Sequence, residues 1–163
     1  ELIAFALNNS LTKNAITLEI FSKEFIGVET SSLADSYLLG SFGGKFRNNI
    51  KHYPSIPNAA KAMIKGDISA IMATRSEIDY SLNIYDHSFK ITKLPTPGLA
   101  INGWELCAAV KTTNVELANI INKIIGKLKQ SDKIKRIFNK HKITYNSTDK
   151  IDILSFKNVS DRE

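Results

Sequence analysis

The stretch IGVETSSLADSYLLG, residues Ile26–Gly40, decides the fold that we expect for this chain. It begins with a short apolar, partly β-branched run, which is typical of a buried strand. Thr30, Ser31 and Ser32 follow, and the apolar spacing after them predicts a helix that ends near Gly40. A helix N-terminus carries unpaired N–H groups and a partial positive charge. The polar cluster therefore either caps the helix, with Ser32 as the capping residue, or donates hydrogen bonds to a ligand.

The segments on either side continue this alternation of strand and helix patterns. Short apolar runs predict strands at residues 2–7, 25–28, 49–54, 68–73, 89–95 and 104–111. Helical spacing predicts helices at residues 32–39, 58–65, 75–85, 115–129 and 131–140. Residues 16–25 are ambiguous and include a candidate helical turn, and residues 151–156 suit a late strand or an extended tail. The alternation predicts an α/β domain with a mostly parallel sheet and flanking helices.

Length and composition narrow the class of protein. The chain has 163 residues, 43% of them apolar, which is enough for one domain or two small lobes with a buried core. No apolar run approaches the roughly 18 residues that a membrane-spanning helix needs. The chain begins at Glu1 without a leader, so we expect that any signal peptide has been removed or was never part of this sequence. The single cysteine, Cys107, excludes an internal disulfide, and its apolar setting predicts an inert core thiol.

The net charge of +6 is concentrated near the C-terminus. Apolar residues interleave with these cations at helical spacing, so we interpret the cations as the solvated faces of amphipathic helices. No nucleic-acid-binding motif accompanies them, and no nucleic-acid partner is expected. The cations are Lys123, Lys127, Lys129, Lys133, Lys135, Arg136, Lys140 and Lys142.

Metal and cofactor sites are not expected either. His52, His87 and His141 are far apart and show no ligand-like spacing to one another. Gly43 and Gly44 lack the lysine and hydroxyl residue of a phosphate-binding loop. We therefore predict neither a metal nor a cofactor.

Three segments share their order and spacing with a known family. They are FIGVETSSLADSYL (25–38), IPNAAKAMIKGDISAIMA (56–73) and WELCAAVKTTNVELANIINKIIGKLKQSDKIKRIFNKH (104–141). Together they resemble bacterial type 2 periplasmic solute-binding proteins of the amino-acid-binding family, the extracellular solute-binding protein family 3. The family patterns are roughly V-G-V-x-x-G-T-T-A-E-x-Y-L, A-L-x-x-G-x-x-D-A-x-x-x-D and G-x-A-V-R-K followed by two helices. The resemblance covers about residues 16–142.

The resemblance implies two α/β lobes joined by crossing strands, with ligand in the cleft between them and hinge closure over it. Residues 8–94 would form the complete second lobe. Residues 1–7 and 95–145 would supply crossing strands and the C-terminal part of the first lobe, and 146–163 a tail. The first part of lobe one would be missing. The helices after Val115 would then expose apolar faces, which favours self-association as a homodimer.

The resemblance also implies a site. The family's Gly-Thr-Thr loop corresponds to Ser31, Ser32 and Leu33, and the family's ammonium-binding Asp corresponds to Thr74. A neutral hydroxyl cannot balance a cation, and the next residue, Arg75, suits an anion. The resemblance therefore favours a small polar or anionic solute. The residues expected to face the cleft are Thr30, Ser31, Ser32, Leu33, Thr74 and Arg75.

Three functions remain open from the sequence. The first is a non-catalytic solute-binding protein of an ABC-type transport system, periplasmic or extracytoplasmic, with a membrane permease as partner. The second is a ligand-sensing or accessory domain of a larger periplasmic or membrane-bound protein. The third is an enzyme on the same scaffold, similar to the dehydratases of this fold, for which Glu29 and Glu77 are the candidate acids or bases.

Overall fold

A computed structural model describes residues 3–9, 11, 17–86, 89–99 and 107–145. The strands are β1 (Ile3–Leu7), β2 (Ile26–Glu29), β3 (Ile50–Tyr53), β4 (Ala70–Thr74) and β5 (Lys90–Thr92). The helices are α1 (Leu33–Gly40), α2 (Ile56–Lys65), α3 (Arg75–Ile84), α4 (Val115–Gln130) and α5 (Lys133–Lys140). Short 3-10 turns cover Leu18–Ser22, Ser41–Gly44 and Arg47–Asn49. The five predicted helices and the first five predicted strands are thus confirmed, with shifts of one or two residues at most ends and larger ones in β5.

The strands form one mixed sheet in the order β3-β2-β4-β1-β5. β2 is parallel to both β3 and β4, whereas β1 is antiparallel to β4 and to β5. β5 therefore runs in the same direction as β4, and among these strands only β1 points the other way. The predicted α/β fold is confirmed, and the single reversed strand makes its sheet mixed.

The helices cover both faces of the sheet because successive strands are added first towards one edge of the sheet and then towards the other. The connection through α1 leads from β2 to one edge of the sheet, whereas those through α2 and α3 lead towards the other edge. Crossover connections between parallel strands are right-handed, so this reversal places α1 on one face and α2 and α3 on the other. Two apolar clusters result, and alternate residues of β1 point into each: Phe5 into the α1 cluster and Ala4 and Ala6 into the α2–α3 cluster.

One glycine is required by this packing. A Cβ atom added at Gly27 would lie 2.5 Å from Cδ1 of Ile68 and 3.1 Å from Cε2 of Tyr53. The absence of a side chain therefore lets α2 and the residues before β4 pack closely against β2.

The C-terminal helices pack on each other and contact α3 through the segment that follows α5. The backbone N–H of Thr144 donates to Oδ2 of Asp79 at 2.9 Å, and Nδ2 of Asn83 donates to the carbonyl of Lys142 at 3.0 Å. The apolar face of α4 is exposed, as expected from the sequence: Ile120 is 48% and Ile124 is 51% exposed. No described helix is long and apolar enough to cross a membrane.

One expectation near the second crossing strand differs from the structure. Cys107 is exposed rather than buried, and residues 107–111 form no strand, so the predicted core thiol is wrong. An apolar run is buried only where tertiary partners cover it, and local pattern does not supply those partners. β1, at residues that we assigned to a crossing strand, pairs with β4 and β5 in the sheet. The predicted division into lobes stays a prediction, and the candidate strand at 151–156 and His87 lie outside the described residues.

Candidate functional site

The strand order creates a crevice at the carboxyl ends of β2 and β4. These strands are neighbours, but the connection after β2 leads to β3 on one side and the connection after β4 leads past β1 to β5 on the other. In open α/β sheets, ligands bind at such a switch point, outside the carboxyl ends of the strands. A pocket of about 140 Å³ lies there, lined by Ile3, Glu29, Ser32, Leu33, Ala34, Ile56, Ala73, Thr74 and Glu77.

The loop after β2 reaches the pocket at the N-terminus of α1, which is capped by a side chain. Oγ of Ser32 accepts a hydrogen bond from the backbone N–H of Asp35 at 3.1 Å, so the capping role proposed for Ser32 is confirmed. Ser31 has a left-handed backbone (φ 61°), and its N–H donates to Oδ2 of Asp35 at 2.8 Å. Thr30 is held away from the pocket, because its Oγ1 and its N–H both donate to the carbonyl of Tyr53.

The loop after β4 is also built around a helix cap. Oγ1 of Thr74 accepts from the N–H of Glu77 at 3.2 Å, and Oε2 of Glu77 accepts from the N–H of Thr74 at 3.0 Å. The Thr74 hydroxyl also donates to Oε2 of Glu77 at 2.8 Å. This reciprocal capping box satisfies orphan N–H groups at the start of α3 and fixes the Glu77 carboxylate at the edge of the pocket.

Arg75 is paired rather than open to an anion. Its Nε donates to Oδ1 of Asp79 at 2.8 Å, one turn further along α3, and the Asp79 side chain is buried. Arg75 and the Thr144 N–H both cover the Asp79 carboxylate. An anion at Arg75 would have to compete with this charge-assisted bond.

The structure brings together part of the predicted site and adds two acids to it. Ser32, Leu33 and Thr74 line the pocket, whereas Thr30, Ser31 and Arg75 do not. Glu29 and Glu77, which the sequence indicated as candidate acids or bases, both line the pocket. The signal was present in the sequence: Glu29 directly follows a predicted strand, and Thr74 and Glu77 have the spacing of a capping box.

The two carboxylates dominate the electrostatics of the pocket. Among the described residues, no hydrogen bond or ion pair reaches the Glu29 side chain, whereas Glu77 is held by Thr74. Two negative groups at one small pocket favour a cation or an amine and disfavour an anion. Within the described ranges, no cluster of three or more histidine, cysteine, aspartate or glutamate residues could hold a metal ion.

Two tyrosines, one on β3 and one on α1, remain neutral at physiological pH. Burial raises the pKa of Tyr53, and the charge of Asp67 raises it further. Burial also raises the pKa of Tyr37, while a hydrogen bond with Ser41 lowers it. The Tyr37 hydroxyl donates to the carbonyl of Pro97 at 3.0 Å, which joins α1 to the segment after β5.

Comparison with known proteins identifies the fold but not a sequence family. No protein-family model matches the chain, and no curated protein sequence matches it. Solved structures do match, and the chain shares the fold of amino-acid ABC transporter substrate-binding proteins. One from Streptococcus pneumoniae bound to L-arginine has a TM-score of 0.62 and 12% identity over 90% of this chain. The chain spans 59% of that protein's length.

Two further solved structures share the fold. The periplasmic binding protein XoxJ from Methylobacterium extorquens has a TM-score of 0.68 and 10% identity, over 90% of this chain and 69% of its own. The ancestral amino-acid-binding protein AncCDT-1, a precursor of cyclohexadienyl dehydratase, has a TM-score of 0.57 and 12% identity, over 86% of this chain and 56% of its own. The fold is therefore that of a periplasmic binding protein, present in part.

Proposed function

We propose that this chain is the binding lobe of a non-catalytic, extracytoplasmic solute-binding protein of an ABC-type transport system. The observation that carries the proposal is the pocket at the carboxyl ends of β2 and β4, where Ser32, Thr74, Glu29 and Glu77 meet. Its volume of about 140 Å³ holds one end of a small solute rather than a whole one. A second lobe would complete the site, and its closure would sequester the ligand.

We propose a small polar solute that carries an amine or a guanidinium group. The alternative of an anion held by Arg75 is less favourable, because Asp79 already neutralises that guanidinium and Arg75 does not line the pocket. Glu29 and Glu77 would repel an anion and attract a cation, and like charges brought together at an interface cost several kcal/mol.

Catalysis is less well supported than binding. A general acid or base must be able to change its protonation state during the reaction. Oε2 of Glu77 instead accepts two hydrogen bonds from Thr74 that hold the start of α3. Glu29 remains as a single carboxylate, and no described residue forms an ion pair or hydrogen bond with it that would tune it for proton transfer.

A thermal-shift experiment tests the proposal with three probes. L-Arginine has an amine, a guanidinium and a carboxylate; agmatine lacks the carboxylate; succinate is an anion only. A ligand at 100 times its Kd stabilises the folded state by about 2.7 kcal/mol, which raises Tm by roughly 5–10 °C for a chain of this size. We expect shifts with the two cationic probes and none with succinate.

The matched variants are Glu29→Gln and Glu116→Gln. Both remove one negative charge, but Glu116 lies on the exposed surface of α4 and does not line the pocket. We expect Glu29→Gln to abolish the cation shift and Glu116→Gln to retain it. A shift with succinate alone, or equal loss in both variants, would contradict the proposed solute class.

The same pocket would serve a sensing or accessory domain, so transport and sensing are distinguished by the protein that the chain binds. Capture of a membrane permease by the ligand-bound chain would support transport, and capture of a membrane-bound sensor would support signalling. A homodimer through the exposed face of α4 remains a further proposal, which the Ile124→Lys variant would test by light scattering.

A further inference from the structure

The carboxylate of Asp35 connects the loop before α1 to strand β3. Its Oδ2 accepts the Ser31 N–H at 2.8 Å, and its Oδ1 lies 2.9 Å from Nε2 of His52 on β3. The Asp35 side chain is only 8% exposed, whereas that of His52 is 41% exposed. The carboxylate is therefore held by two hydrogen-bond partners. One of them, the His52 ring, is exposed to solvent and can exchange protons with it.

The Ser31 conformation needs such a support. Ser31 adopts a positive φ, which is uncommon for residues other than glycine. Its N–H bond to Asp35 holds this backbone and thereby sets the position of Ser32, which lines the pocket. Ser31 thus links the Asp35 carboxylate to the next residue, which lines the site.

We propose that Asp35 and His52 are positioning residues for the ligand loop at Ser31–Ser32, and that protonation of His52 strengthens their support. Only the expected effect on ligand affinity rests on the proposed function, and the positioning role itself does not. Neutral imidazole divides between two tautomers, and only the one with hydrogen on Nε2 can donate to Asp35. Protonated imidazole always donates there and adds a charge-assisted bond, which is shorter and stronger.

Other titratable and charged groups lie on the elements around His52. His52 shares its face of the sheet with Ile50 and the α1 cluster, and α2 packs on the opposite face. On α1 the titratable groups are Asp35 and Tyr37, and the raised pKa of Tyr37 keeps it neutral. The remaining groups on neighbouring segments are Glu29 on β2, Arg47 before β3, Lys51 and Tyr53 on β3, and Lys61 and Lys65 on α2.

Nuclear magnetic resonance of the full chain tests the proposal without any ligand. The amide proton of Ser31 and the ring protons of His52 are followed from about pH 8 to about pH 5, where histidines titrate. We expect the Ser31 amide shift to change with the same midpoint as the His52 ring. Because the wild-type titration needs no variant, the test does not depend on a mutant that folds.

Two variants separate positioning from a merely structural role. His52→Gln retains a donor but cannot titrate, so its Ser31 amide should stay in place and lose the pH dependence. His141→Gln, at the exposed end of α5, should leave the profile unchanged. A Ser31 transition that persists in His52→Gln, or a His52 titration that leaves Ser31 unmoved, would overturn the proposal.

A binding measurement then separates this proposal from the proposed function. With agmatine as probe, the wild-type affinity should rise several-fold from about pH 8 to about pH 5.5, and this dependence should vanish in His52→Gln. No agmatine binding at any pH, together with the expected Ser31 profile, would reject the amine ligand and retain the positioning role. Binding that depends equally on pH in both proteins would reject the positioning role alone.

Discussion

Replacement of Thr74 with valine should destabilise the fold because the side chain caps α3 while it lines the pocket. Valine keeps the shape but removes the oxygen that accepts from the Glu77 N–H and donates to the Glu77 carboxylate. Loss of an N-cap costs about 0.5–2 kcal/mol, and we expect the upper half of this range because a charge-assisted bond is lost too. The expected decrease in Tm is about 2–8 °C at 2–4 °C per kcal/mol.

Urea unfolding followed by circular dichroism would measure the free energy of unfolding for Thr74→Val, Glu77→Ala and the double variant. The control is Thr92→Val on β5, whose hydroxyl only reaches the Lys93 carbonyl at 3.4 Å, and it should change stability by less than about 0.5 kcal/mol. The double variant should lose less stability than the sum of the two single variants, by at least about 0.5 kcal/mol, because both remove the same hydroxyl–carboxylate bond. Additive losses, or a Thr74→Val cost no larger than that of the control, would refute the capping-box argument.

Two further predictions concern packing and pH. Gly27→Ala should lower the free energy of unfolding by about 1–3 kcal/mol through overpacking. Ile68→Val removes the Cδ1 atom that the new methyl meets, so the double variant should recover part of that loss. Additive losses in urea unfolding would contradict the contact. The raised pKa of Tyr53 means that the folded state holds this proton more tightly than the unfolded state. The contribution of Tyr53 to the free energy of unfolding is complete below about pH 10 and is lost as pH rises through the folded-state pKa. Tyr53→Phe should therefore flatten the decrease in stability at alkaline pH. An unchanged slope of stability against pH would be evidence against burial as the cause.

Much of the local structure could be predicted because it depends on neighbours in the chain. The β2–α1 unit follows from an apolar run, a capping serine and helical spacing, and the structure confirms Ser32 as the cap. α2 ends at Gly66, whose φ of 85° is the left-handed conformation that a glycine at a helix end adopts at low cost. These signals act over a few residues, which is why the sequence alone indicated them.

The candidate site was only half predicted, since its composition depends on strand order. Ser32 and Thr74 were expected at the carboxyl ends of two strands, and they meet because β2 and β4 are neighbours. The partners of Arg75 and Asp35 could not be assigned in advance. Whether Arg75 faces a ligand or Asp79, and whether Asp35 meets His52, depends on side-chain directions and on segments that are distant in sequence.

The sequence by itself therefore determined the α/β class, the helices and the helix ends at Ser32 and Gly66, because periodicity and capping are local properties of the chain. Only the tertiary structure decided that β1 runs against its neighbours, that Asp35 and Asp79 are buried, and that Glu29 and Glu77 share one pocket. The physical reason is that burial and electrostatic environment arise from contacts between distant segments. Such contacts exist only once the strands have taken their places in the sheet.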